Sequence, residues 1–144
     1  MNTPTVLMPD PAGLITVAAG YTPSTNIHEP ASTYAQFYVL PVIGPLSYLA
    51  WSRLNMWLPA DDNAAIGIGH DELAWSLGAA PARLDRSINR LVKFHLAYLI
   101  PGDSHTVYVK RRASTLSPAL LAGLALKCPT LGNAHAEQLE TTAA

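Results

Sequence analysis

The chain reads as an α+β domain, mainly helical with a small antiparallel β-sheet, and three stretches carry that reading. Gly69 to Ile100 has the pattern of a short helix, a tight turn and a longer helix. Thr106 to Val109 is β-branched or aromatic throughout and follows the turn residues Ile100-Pro101-Gly102-Asp103-Ser104-His105, which predicts a hairpin. Leu46 to Leu58 is a second helical stretch, opened by Gly44-Pro45 and closed by Pro59. With 144 residues, nearly half of them apolar, the chain is long enough for one domain with a real core and short for two.

In order, residues 1–32 hold five of the twelve prolines and predict a flexible N-terminal arm, with Leu14 to Val17 as the stretch able to pair as a short strand. The domain proper is expected over 33–127. Thr33 to Leu40 is aromatic and β-rich and stops before Pro41, which predicts a strand or the start of the next helix. The Leu46–Leu58 helix is apolar on most sides, with Tyr48, Trp51, Met56 and Leu58 lying off its main stripe. A helix of that kind needs cover on several faces, from the chain's own tails or, as we favour, from a second subunit. Ile66-Gly67-Ile68 is expected to join the hairpin as a third strand. In the next helix Asp71 and Glu72 suit the first turn, Leu73, Ala74 and Leu77 share a face, and Gly78 stops it. From Ala82 to Leu99 the apolar residues Leu84, Ile88, Leu91, Val92 and Leu99 recur at helical spacing. Ser117-Pro118 opens a helix to Lys127, and 128–144 forms a C-terminal tail with a short helix over Ala134 to Leu139.

The spacing Ala74, Gly78, Leu84, with Leu73 and Leu77 around it, resembles the helix-turn-helix of bacterial transcription factors, and the hairpin after Leu99 makes it similar to the winged subtype. The whole also resembles small winged-helix proteins of actinobacteria and their phages. That resemblance implies a winged helix-turn-helix with extra N- and C-terminal helical segments, recognition of duplex DNA, and a homodimer on a pseudo-palindromic site. Ala80 departs from it, standing where many relatives carry a capping serine or threonine.

Charge supports the same direction. Seven of the nine Lys and Arg lie between Pro81 and Arg112 against only Asp85 and Asp103, so this segment is +5 while the rest carries −6. Arg83, Arg86 and Arg90 share the outer face of the longer helix, with Lys93 at its edge and Ser87 and Asn89 beside them. These residues are expected to meet base edges or phosphates, while His105, Lys110, Arg111 and Arg112 at the wing neutralise phosphates. Tyr48, Trp51, Met56, Leu58 and Trp75 are the candidate dimer or partner surface.

Little points to catalysis. The sequence lacks a phosphate-cradling glycine loop, H-E-x-x-H and G-x-S-x-G, and Gly67-Ile68-Gly69 is only G-x-G. The five histidines show no paired ligand spacing and the single cysteine, Cys128, allows no disulfide within the chain, so no metal or cofactor is expected. Leu40 to Leu58 is interrupted by Pro41, Pro45, Arg53 and Asn55, and no charged leader precedes an apolar run, which points to a cytoplasmic protein. The expectation is therefore a non-enzymatic, DNA-binding transcriptional regulator, with repression favoured over activation. The alternative is a winged-helix module that docks on a transcription or replication component without touching DNA.

Overall fold

Residues 14–19, LITVAA, alternate long apolar side chains with smaller or polar ones, and in the computed structural model they form strand β1 (Leu14–Ala19). The structure describes residues 6–135. The remaining strands are β2 (Ala65–Gly69), β3 (Ala97–Tyr98) and β4 (Thr106–Val109), in the sheet order β2-β1-β4-β3. β1 runs antiparallel to β2, pairing Ile15 with Ile68, and parallel to β4, pairing Val17 with Val107. β3 and β4 form an antiparallel hairpin. Ile15, Val17, Val107 and Val109 are fully buried on one face. On the other face Tyr98 and Tyr108 stack with their ring centroids 5.1 Å apart.

Two expectations are corrected here. The Pro-rich stretch is not an arm outside the domain: its described part supplies the strand that parts β2 from the hairpin. The three-stranded antiparallel sheet accordingly becomes a four-stranded mixed one. Prolines at 9 and 11 precede the strand without breaking it, because Asp10 organises the turn, its Oδ1 accepting from the Ala12 and Leu14 amides.

The aromatic stretch after Ser32 is helical rather than extended. A π-helical segment (Ala35–Val39) continues into α1 (Leu40–Ile43). Tyr34, Ala35, Tyr38, Val39 and Ile43 are buried at three-to-four-residue spacing, so packing overrides the strand propensity of the same residues. Gly44, at φ 90°, makes the corner into α2 (Pro45–Trp57), a backbone angle that suits glycine. α2 sends Ala50, Trp51 and Leu54 into the core, where none is exposed. Trp51 Nε1 donates to the Lys110 carbonyl at 2.8 Å.

After β2 come α3 (His70–Ser76) and α4 (Pro81–Lys93). Gly78, at φ 67°, ends α3, its amide bonding Trp75 O while the Ala79 amide reaches Ala74 O. α4 repeats this ending with a different residue. His95 takes φ 61°, its amide bonds Val92 O, and the Leu96 amide bonds Leu91 O. The helix thus stops at Lys93, well short of Leu99, with His95 in the turn that ends it.

α5 (Pro118–Lys127) matches the expected bounds, with Ser117 Oγ accepting from the Leu120 amide at 3.3 Å. Pro129 opens a further helical stretch over 129–135; the remainder of the expected Ala134–Leu139 helix lies outside the described residues. Among the described residues no helix is long and apolar enough to cross a membrane.

Candidate nucleic-acid interface

α4 is amphipathic in the way its sequence requires. Leu84, Ile88 and Leu91 are fully buried, and Arg83, Arg86, Asn89, Arg90 and Lys93 are exposed. A shallow groove beside them is walled by Gly44, Pro45, Leu46 and Ser47 at the start of α2, opposite Arg83, Arg86 and Arg90. Asp85, the one acid on α4, is drawn away from these cations: its Oδ1 accepts from His70 Nε2 at 2.6 Å. That bond also clasps the start of α3 to the start of α4. The pairing carried no signal in the sequence.

The candidate residues do not all reach one surface. The side chains of Arg83 and Asn89 make no hydrogen bond or ion pair among the described residues, and the Arg86 guanidinium bonds only its own helix, at Ala82 O, 3.5 Å away. Arg90 is exposed but engaged. Its Nε donates to Ile43 O at 2.5 Å and its Nη2 to Val42 O at 3.0 Å, capping the C-terminal carbonyls of α1, and its guanidinium lies over Phe94 at 5.2 Å. Lys93 sits by the same ring at 6.0 Å. Ser87 is a correction: it is buried against α2, its carbonyl accepting from Ser47 Oγ at 3.1 Å, so its hydroxyl does not join the outer face.

The cations that follow β4 are corrected in the same way. Arg111 donates to the carbonyls of Pro59, Asp61 and Asn55, closing the end of α2, and Arg112 Nε donates to Asn26 O at 3.0 Å. Both guanidiniums are spent on main-chain carbonyls of neighbouring segments. Lys110 lines a cavity at the C-terminal end of α4. His105, at the wing tip, is exposed, but its Nδ1 donates to Met8 O at 2.8 Å while the Met8 amide donates to Ser104 O. The N-terminal chain therefore straps the wing.

Among the five residues expected at a partner surface, Trp51 and Leu58 belong to the core of this chain, and Tyr48 is half-buried with its hydroxyl donating to Pro30 O at 2.5 Å. The cover comes from within this chain: α2 packs against α4, α1 and β4, and the N-terminal segment reaches it at Tyr48. Met56 and Trp75 are left at 75% and 83% exposure. Arg53, not singled out by its sequence context, joins α2 to α3 by donating to Ser76 O at 3.1 Å while lying over Trp57.

A second polar cluster sits at the C-terminal end of the described chain. Tyr34 hydroxyl lies 2.6 Å from His135 Nε2 and accepts the Leu116 amide at 2.9 Å, and His28 stacks on the Tyr34 ring. One proton is shared between the Tyr34 oxygen and His135 Nε2, and the imidazole tautomer decides which of them donates. Burial pushes both histidines below the ordinary value of 6.5, and proximity to His135 adds to the lowering at His28.

Compared with known proteins, the chain matches no family model, no curated protein and no solved structure.

Proposed function

We propose that the chain is a winged helix-turn-helix protein that binds duplex DNA as a transcriptional regulator, with α3 and α4 as the helix pair, β3–β4 as the wing and β1 as an added strand within the sheet. The observation that carries this reading is the state of α4. Arg83 and Arg86 project from a helix whose other side is fixed in the core, and their only acidic neighbour on that helix is held by His70.

Laid along a major groove, α4 would offer Arg83, Arg86 and Asn89 to phosphates and base edges, with Lys93 at its far end. Arg90, Arg111 and Arg112 hold the helices and the wing base in place instead of contacting DNA. Promoter occupancy, and hence repression, is the simplest regulatory outcome. A homodimer on a pseudo-palindromic site belongs to the same proposal, with Met56 and Trp75 as the surface left to support it.

Fluorescence anisotropy on a mixed-sequence duplex tests the reading. Three phosphate contacts give a log–log salt slope of about −2.7, or a loss of about 40-fold in affinity between about 50 and 200 mM salt. Arg86→Ala should lower the slope by about one. Binding that ignores salt, or that Arg83→Ala/Arg86→Ala leaves unchanged, refutes the proposal. The exposed Trp75 favours a second reading, a protein-docking module, for which Trp75→Ala would abolish capture of the partner while Arg86→Ala would not.

A further inference from the structure

At the C-terminal end of α4, a cavity of about 390 Å³ opens between three segments. Val39, Val42 and Ile43 wall it from the π-helical segment and α1, Leu96 from the α4 ending, and Leu116 and Leu120 from the segment entering α5. Lys93 and Lys110 also line it, and among the described residues no acidic side chain does. The apolar walls together with two unopposed ammonium groups define the chemistry of an occupant.

We infer that this cavity is a binding site for a small organic anion with an apolar body, such as an aliphatic or aryl carboxylate. Its volume suits a ligand at the small end of the range for organic pockets. Lys93 and Lys110 hold the anionic head, and the valine, isoleucine and leucine walls take the body. Neither lysine makes a salt bridge among the described residues, so the anion meets no internal competitor. Phe94 connects the site to the outer face of α4, because its ring carries both Lys93 and Arg90. Occupancy would thereby be felt at the α4 ending. The inference stands without the DNA reading, since the cavity is lined by neither Arg83 nor Arg86 and shares only Lys93 with that face.

The probe is 8-anilinonaphthalene-1-sulfonate, an apolar body bearing one fixed negative charge, titrated onto the full chain with fluorescence and calorimetric readouts. N-phenyl-1-naphthylamine supplies the same body without the charge. The sulfonate should saturate at one per chain and bind tighter than the neutral analogue. Lys93→Gln and Lys110→Gln should each weaken it by about 3- to 10-fold, while leaving the neutral analogue unchanged. Leu120→Trp, which adds bulk at the cavity wall, should weaken both probes. Arg83→Gln, which removes a cation from the first turn of α4, away from the cavity, should weaken neither, and near-ultraviolet circular dichroism should report native packing in every variant used. Unsaturable binding, equal affinity for the two probes, equal weakening by Arg83→Gln, or indifference to both lysine changes and Leu120→Trp would overturn the inference.

Discussion

Arg90→Ala separates a structural guanidinium from a ligand-binding one. The side chain makes two bonds to the end of α1, a half-buried one to Ile43 O at 2.5 Å and an exposed one to Val42 O at 3.0 Å, and it covers the Phe94 ring. A hydrogen bond to a charged donor is worth about 1.5–3 kcal/mol when protected and much less in contact with water. Taking about 1 kcal/mol for the half-buried bond, a few tenths for the exposed one and about 0.5 kcal/mol for the ring gives a total of about 2 kcal/mol. Truncation also leaves the Ile43 carbonyl without its donor. Urea unfolding followed by tryptophan fluorescence should therefore show Arg90→Ala less stable by about 2 kcal/mol, with an unchanged slope. Arg86→Ala, whose guanidinium reaches only Ala82 O, should fall within about 0.5 kcal/mol of the parent. Arg90→Lys should recover part of the loss, because an ammonium cannot span both carbonyls in the same fork. Equal midpoints for Arg90→Ala and Arg86→Ala would refute the assignment of Arg90 as the clasp between α4 and α1.

Two further outcomes follow from the interior. Trp51→Ala should cost about 3–5 kcal/mol without altering the mass seen by light scattering, because the indole is in this chain's own core; a changed mass at unchanged stability would place Trp51 at a subunit contact. Acid should destabilise the fold through His28 and His135. Their folded-state values lie below 6.5, so beneath that pH the unfolded chain binds more protons, and stability is level above about 6.5 and falls as pH drops, by at most about 1.4 kcal/mol per pH unit for each group. His135→Gln should flatten that fall in urea midpoints between about pH 7 and 5, and an identical fall in parent and variant would contradict it.

The two helices either side of Gly78 were legible because glycine and proline punctuate them and leucine spacing does the rest: Gly78 and Ser117 cap where their chemistry says they should. The ending of α4 was not, because a histidine takes the left-handed position that composition assigns to glycine. The aromatic segment at Tyr34 and Tyr38 stayed open between strand and helix for a different reason. Its residues favour strands individually, yet their buried members recur at helical intervals. The basic face was legible only as charge. Sequence can count cations within a segment, but it does not say that Arg111 and Arg112 turn toward the carbonyls of Pro59 and Asn26, which lie far away along the chain. The cavity at the C-terminal end of α4 gave no sign, because its walls come from three separate stretches.

The position of β1 has a consequence for how the protein is made. Leu14–Ala19 leaves the ribosome before either of its neighbours, and β4 emerges only after β2, α2, α3 and α4. The first strand must wait with one edge unpaired, exposed to any complementary backbone nearby, until Thr106 to Val109 arrive to flank it. Premature termination before β4 would accordingly release a product whose central strand is half-dressed and prone to self-association.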